Sequence, residues 1–238
     1  MKKAISVILC ITVLLSFIII PVSASNNGCD LKFAVASDLH YNQPEEFTDY
    51  IDDEIFFYAN RRAAMENQSG FIIDEFLNQC AESDVQYVLI SGDMADNGRS
   101  DPEEHLIVAR KLRDFEQKTG KDVFVIDGNH DLGEGSLTDI TQFKKIYSDF
   151  GYDKAVETVE NDCSYTANLG EKYRLIALDS CDPTVSTEDG MSLKKTNWVL
   201  KQAEKAYDDG RYPILMMHHN LLDHMPLQRI FSSDLIVR

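Results

Sequence analysis

Short apolar runs recur along the chain from Leu31 onward, and they end in small residues followed by polar ones. Val123 to Ile126 is continuous, apolar and rich in β-branched residues, which predicts a strand covered on both faces. The stretch around Phe33 and Val35, the run Val88 to Ile90, and Ile214 to Met217 have the same character. Polar residues follow each run, at the carboxyl ends where α/β sheets hold their sites.

Between these runs the apolar residues change to helical spacing. A crossover helix is predicted before Asp84 because large apolar residues recur every three or four positions, at Phe71, Ile72, Ile73, Phe76, Leu77 and Cys80. Asp101-Pro102-Glu103-Glu104 supplies a cap, an early proline and acidic residues for a helix that runs to about Lys118. His105 lies in its first turn, and we expect a partly exposed helix residue there rather than a ligand.

The second half of the chain predicts another sheet. The stretches Ser164 to Leu169 and Tyr173 to Asp179 alternate like strands, after a helix around Ile140 to Asp149 and before another at Asn197 to Ala203. We therefore predict an α/β fold in which two mixed β-sheets pack face to face with helices outside.

Composition is typical of one globular domain. The chain has 238 residues, of which 44% are hydrophobic and 26% charged, so it can bury a sizeable core. A formal charge of −17 disfavours a nucleic acid polymer as a partner, because binders of polyanions usually carry a basic face. A small anionic ligand stays compatible, since its charge can be met locally.

The N-terminus has the pattern of a signal peptide. Lys2 and Lys3 precede an apolar run, and small residues stand before Ala24. We predict a signal peptide over residues 1–24, a mature domain over 25–238, and an exported or cell-surface protein with no stable membrane span after cleavage. An uncleaved anchor is the alternative. The oligomeric state is not indicated.

Four cysteines follow the predicted cleavage site: Cys29, Cys80, Cys163 and Cys181. In an exported protein they allow three pairings, and the sequence does not choose among them. Free buried thiols are equally compatible, because a chain of this length can stabilise itself without disulfides.

Three of the strand ends carry residues that bind metals. Asp38 and His40 follow the first run, Asp93 follows the second, and Gly128-Asn129-His130-Asp131 follows the third, where Gly128 is expected to allow a sharp turn. Carboxylate oxygens and imidazole nitrogens suit Zn, Mn or Fe. The repetition predicts that these side chains converge on one metal centre.

These blocks resemble the calcineurin-like metallophosphoesterases. The family pattern is Asp-x-His, Gly-Asp-x-x-Asp, Gly-Asn-His-Asp or Glu, a histidine after an apolar strand, and Gly-His-x-His. The chain matches it at Asp38 and His40, at Gly92 to Asp96, at Gly128 to Asp131, and at His218, which precedes His219. The resemblance begins near Leu31 and implies an α-β-β-α sandwich.

The resemblance also implies roles for these residues. Asp38 and His40 would bind one metal, Asp93 would bridge two, and Asn129 and His218 would bind the second. The cofactors would be two divalent or trivalent ions, Mn, Fe or Zn. Their bound hydroxide would attack a phosphodiester or phosphomonoester in line.

Two further roles complete the predicted catalytic set. His130, as an imidazolium, would stabilise or protonate the leaving alkoxide, and Asp131 would orient it. His219 is interpreted as a supporting residue, as are Asp223 and His224. The acidic and aromatic stretch from Asn42 to Ser69 is either a border of the substrate cleft or a solvated loop, and it leaves the substrate's identity open.

The fifth block of the family pattern, Gly-His-x-His, does not occur in these 238 residues. We therefore expect an incomplete second sheet and interpret the sequence as a partial enzyme. The alternative function is a non-catalytic metal-binding or interaction protein on the same fold.

Overall fold

A computed structural model describes residues 31–42, 68–133, 135–181 and 192–221. The predicted signal peptide, nearly all of the stretch from Asn42 to Ser69, and the pair Asp223 and His224 lie outside the described residues.

The first sheet has three parallel strands in the order β1 (Phe33–Ala36), β2 (Tyr87–Ser91) and β3 (Asp122–Ile126). Helix α1 (Ser69–Glu82) lies between β1 and β2 along the chain, and α2 (Pro102–Thr119) connects β2 to β3. In the parallel register Phe33 stands beside Tyr87, and Tyr87 beside Asp122. The three carboxyl ends therefore meet at one edge of the sheet.

Helix α2 begins and ends where its sequence predicts. The side chain of Asp101 accepts a hydrogen bond from the backbone N–H of Glu103, and Pro102 takes the first position, where no N–H is needed. Gly120 ends the helix with a φ of 70°, which lies in the left-handed region. The apolar residues that α2 buries, Val108, Ala109, Leu112 and Phe115, belong to the hydrophobic core.

The second sheet has four strands in the order β4 (Ala155–Thr158), β5 (Tyr165–Leu169), β6 (Tyr173–Leu178) and β7 (Tyr212–Met217). The first three are antiparallel, and β7 pairs with β6 in parallel. That change of direction needs a crossover, which is helix α4 (Leu193–Asp208). Helix α3 (Ile140–Ile146) and a wide helical turn (Ser148–Tyr152) lie between the two sheets along the chain.

The sheets pack with β3 against β6 and β2 against β7. One continuous core contains fully buried side chains of both sheets, among them Val88, Val125, Leu175 and Ala177. The hydroxyl of Tyr165 donates to the carbonyl of Val125 across the two sheets, at 2.8 Å. Burial of each large aliphatic side chain contributes roughly 1.5–3 kcal/mol. The predicted α/β fold with two sheets and helices is confirmed.

Two further features concern the cysteines and the helices. Cys80, Cys163 and Cys181 are free thiols, while Cys29 lies outside the described residues. None of the described helices is long and apolar enough to cross a membrane.

Candidate metal centre

The carboxyl ends of four strands bring the predicted donors together around Asp93. Nε2 of His218 lies 3.1 Å from Oδ1 of Asn129 and 3.4 Å from Oδ2 of Asp93. Nε2 of His40 lies 3.5 Å from the same Asp93 oxygen and 3.7 Å from Oδ1 of Asp38. Segments separated by up to 180 residues (from Asp38 to His218) thus offer oxygen and nitrogen donors to one point.

The backbone at this edge is held in an uncommon conformation. Asp38, His40 and Asp93 have φ values of 56°, 41° and 53°, in the left-handed region where Asp and His are among the tolerated residues. The N–H groups of Asp38 and His40 donate to the carbonyls of Gly92 and Asp93, at 3.0 Å each. These bonds continue the pairing of β1 and β2 into the loops and fix where the side chains lie.

Two glycines make room for the donors, for different reasons. Gly92 has a φ of 93°, and a Cβ there would lie 2.8 Å from the ring of His218. Gly128 is not in the left-handed region, but a Cβ there would lie 2.3 Å from Oδ1 of Asp93. The sequence predicted that Gly128 serves a sharp turn. The structure shows that it serves the close approach of Asp93.

Each of the two histidines presents Nε2 to Asp93 because its other nitrogen is engaged. Nδ1 of His218 donates to the carbonyl of Ser91 at 2.9 Å, which leaves Nε2 without a proton in the neutral ring. Nδ1 of His40 pairs with Oδ1 of Asp96 at 3.0 Å. Partners of this kind orient metal-binding histidines in proteins.

The electrostatics of the cluster show an excess of negative charge. Burial lowers the pKa of His40, but hydrogen bonds with Asp38 and Asp96 outweigh burial and raise the pKa to about 10. Burial likewise opposes protonation of His218, and contact with Asp93 raises its pKa to about 9. The hydrogen bond with His40 lowers the pKa of Asp38 to about 2 despite partial burial. A divalent cation would satisfy the same excess charge.

The donors form two overlapping groups that share Asp93. Asp38, Asp93 and His218 form one group, and His40, Asp93 and His130 form the other, each with candidate ligand atoms within 4.8 Å of one another. Mixed carboxylate and imidazole sets fit first-row ions such as Mn, Fe and Zn. The residues present therefore fit a pair of metal ions, with Asp93 in the position of a bridge.

His130 lies beside the donors. Its backbone N–H donates to Oδ1 of Asp93 at 2.9 Å, and its ring packs edge-on against the ring of His40, with centroids 4.8 Å apart. Nδ1 donates to the carbonyl of Asp96 at 2.9 Å, since a carbonyl can only accept. The Nε2 atom is therefore the one left for chemistry.

Asp131 supports the loop from within the core. Its carboxylate is fully buried and accepts hydrogen bonds from the N–H groups of Gly128 at 2.8 Å, Met94 at 2.7 Å and Ala95 at 3.2 Å. Burial is the main cause that raises the pKa of Asp131 to about 7. The sequence assigned the orientation of His130 to Asp131, but in this structure the hydrogen-bond partner of the His130 ring is Asp96.

The expectation for His105 was wrong. This side chain is fully buried and lies behind the Gly128 to Asp131 loop. Nε2 of His105 donates to the carbonyl of Asp131 at 2.8 Å, and Nδ1 accepts from the hydroxyl of Tyr147 at 3.0 Å. His105 does not bind at the site but fixes the backbone of the loop that carries Asn129 and His130.

The sequence analysis also gave Asp96 no role, although it stands in the quoted Gly-Asp-x-x-Asp block. Its position three residues after Asp93 was the available signal. His219 has the supporting place that the sequence predicted, since it is buried and its Nδ1 lies 2.9 Å from the hydroxyl of Ser180.

A family model described as calcineurin-like phosphoesterase matches residues 31–237. The chain belongs to the calcineurin-like phosphoesterase family. The match begins two residues before β1 and includes every donor of the candidate metal centre, so the family assignment and the site cover the same part of the chain.

One solved structure, a dimetal phosphatase, has a similar fold. A dimetal phosphatase from Danio rerio superposes with a TM-score of 0.52 at 14% sequence identity, covering 81% of this chain and 70% of that one. A protein of unknown function from Aquifex aeolicus gives a TM-score of 0.36 at 12% identity, covering 87% of this chain and 89% of that one. No curated protein matches the chain.

Proposed function

We propose that this member of the calcineurin-like phosphoesterase family is a metal-dependent hydrolase of phosphomonoesters or phosphodiesters. The observation that carries the proposal is the way His40 and His218 present Nε2 to one carboxylate oxygen of Asp93. Two imidazoles directed at a buried carboxylate, each fixed at Nδ1, form a preorganised receptor for cations.

Five residues would hold the two ions. We assign Asp38 and His40 to one ion and Asn129 and His218 to the other, with Asp93 shared. In the structure Asp38 lies in one group with His218, and His40 lies in one group with His130, so the pairing of donors with ions is part of the proposal. When bound, paired cations lower the pKa of water and neutralise a phosphoryl group. The protein's own part is to keep these donors fixed through the loop hydrogen bonds described above.

His130 is the residue that we assign to the leaving group. Its Nδ1–H is held by the carbonyl of Asp96, so Nε2 can carry and deliver a proton to an alkoxide. Because the His130 ring packs against His40, that proton would be released next to the cation pair. Asp131 contributes by fixing the backbone on which His130 stands.

The test is hydrolysis of an aryl phosphodiester and an aryl phosphomonoester with Mn²⁺, Zn²⁺ or Fe²⁺. Asp93→Asn and Asn129→Ala should each lower kcat/KM by at least about 100-fold, since each removes a metal donor. Asp149→Asn, at an exposed carboxylate paired with Arg113, is the matched control and should keep its activity. Hydrolysis that survives both donor substitutions unchanged would mean that the site is misassigned.

The same assay decides the second candidate function. Metal bound at the centre, with no hydrolysis of either ester by the full-length parent protein, would favour the non-catalytic metal-binding protein. The substrate specificity and the preferred ion follow from the rates measured across esters and metals.

We further propose that the protein is exported, because residues 1–24 have the charge, apolar run and small residues of a signal peptide. N-terminal sequencing of protein produced in a secreting host should start at Ser25. A first residue of Met1 in the secreted or membrane fraction would contradict cleavage.

A further inference from the structure

A second group of potential ligands lies at the junction of the two sheets. Asp127 directly follows β3 in the first sheet, whereas Asp179 and Cys181 directly follow β6 in the second. One carboxylate oxygen of each aspartate and Sγ of Cys181 lie within 4.8 Å of one another. None of these side chains belongs to the candidate metal centre.

Asp127 is the unusual member of this group. Its side chain is 0% exposed, and neither carboxylate oxygen has a hydrogen-bond partner in the described part of the chain. Native proteins pair or protonate their buried carboxylates, because an unpaired buried charge is strongly unfavourable. At least one oxygen of Asp127 lies close to the ligand atoms of Asp179 and Cys181, so a cation bound among the three would pair with it.

Lys195 is the nearby cation, but it is already engaged. Its Nζ lies 3.2 Å from Oδ1 of Asp179 and 3.3 Å from Oδ2 of Asp162, and it donates to the carbonyl of Asp179 at 2.8 Å. Three carboxylates, counting Asp127, thus share one ammonium. If all three are ionised, two negative charges are left, and a divalent ion that binds together with the Cys181 thiolate would lower the net charge of the group from −3 to −1.

We propose that Asp127, Asp179 and Cys181 form a second cation site, separate from the phosphoesterase centre, that takes one divalent ion of the Zn²⁺ class. Two carboxylates and a thiolate are a ligand set that borderline-soft ions accept, whereas Mg²⁺ and Ca²⁺ avoid sulfur. On binding, Cys181 forms an S–metal bond and releases its thiol proton to solvent. Its side chain is only partly buried, which gives the ion a way in.

The ion would connect the two sheets. Asp127 extends β3 and the other two ligands extend β6, and β3 packs on β6 in the core. Because Asp127 directly precedes the Gly128 to Asp131 loop, the ion would also brace that loop. The role is structural and does not depend on phosphoester hydrolysis.

Cobalt is the probe that separates the two sites. The candidate phosphoesterase centre contains no cysteine, so a thiolate-to-Co²⁺ charge-transfer band in the near ultraviolet reports on the new site alone. We expect this band when full-length, chelator-treated protein is titrated with Co²⁺. The band should persist in Asp93→Asn, which impairs the phosphoesterase centre. A failure of the proposed function can therefore be told apart from a failure of the second cation site.

Cys181→Ser should abolish the band, and Cys80→Ser, at a buried thiol elsewhere in the core, should keep it. Asp127→Asn should weaken Co²⁺ binding at this site at least tenfold, while circular dichroism checks that the fold is kept. The absence of a thiolate band in the parent protein, under conditions where visible cobalt absorption shows that metal has bound, would overturn the proposal. A band that persists in Cys181→Ser would overturn it as well.

Discussion

Each histidine of the metal centre has one nitrogen engaged by the protein and one directed at Asp93. For His218 the engaging group is the backbone carbonyl of Ser91, which no substitution can remove. For His40 it is the carboxylate of Asp96. Side-chain substitution can therefore test the second arrangement, in which a carboxylate orients a ligand without touching the metal.

Asp96→Asn should weaken metal binding or hydrolysis by about 10–100-fold, the range found for partners that orient metal ligands. The amide keeps the size of the side chain but loses the charge that holds His40. The measurement is the Mn²⁺ concentration needed for half-maximal hydrolysis, with Asp149→Asn as the surface control. An unchanged metal dependence would show that Asp96 does not orient His40.

The donors could be predicted from the sequence because each follows an apolar run by a few residues, and parallel strands align their ends. His105 was missed although a signal for it existed. It lies three, four and seven residues before Val108, Ala109 and Leu112, which all face the core on α2. The helical period places His105 on the buried face of α2, whereas the sequence analysis expected it to be partly exposed.

At the scale of elements, the site depends on close packing between the loops that follow the strands. A glycine makes this packing possible because it has no side chain. The loop after β3 touches the loop after β2 so closely that Gly128 leaves no room for a methyl group beside Asp93. The apolar runs predicted the strands. They did not predict this contact, because it joins residues 93 and 128 in two different loops. Sequence spacing alone does not reveal such a distance.

Gly128→Ala should therefore displace Asp93. Its Cβ would lie 2.3 Å from Oδ1 and 2.5 Å from the backbone nitrogen of Asp93, and relief of such overlap costs about 1–3 kcal/mol. We expect a loss of this size in the free energy of unfolding, together with at least a tenfold loss of hydrolysis.

Gly120→Ala is the matched control. Its φ of 70° strains an alanine, yet nothing lies within 4 Å of the added Cβ, so it should lower stability and leave hydrolysis unchanged. Full activity in Gly128→Ala would contradict the role given to that glycine.

At the scale of the whole molecule, His105 joins α2, α3 and the site loop through Tyr147 and the carbonyl of Asp131. Burial is the main cause that lowers its pKa to about 4, from an ordinary value of 6.5. Between these values the unfolded chain binds a proton that the folded chain does not. The contribution of the neutral, buried His105 ring to the free energy of unfolding is therefore complete above pH 6.5, and it is lost as the pH falls toward 4.

The shift corresponds to about 3 kcal/mol. Denaturant unfolding at pH 7 and pH 4.5 should show a fall in the free energy of unfolding. The fall should be smaller by about 2 kcal/mol in His105→Gln, which cannot take up the proton, because this pH interval covers most of the shift. An equal pH dependence in both proteins would contradict this account. The overall fold was predictable from apolar periods and strand alternation, but this contact depends on how α2 meets α3, which the sequence does not specify.

The left-handed backbone at Asp38, His40 and Asp93 has a consequence for how the protein tolerates change. Each such residue costs of order 1–3 kcal/mol, and only the surrounding structure keeps it in place. The backbone hydrogen bonds from Asp38 to Gly92 and from His40 to Asp93 hold this conformation in place. Substitutions that loosen these loops should therefore lower hydrolysis before they unfold the protein.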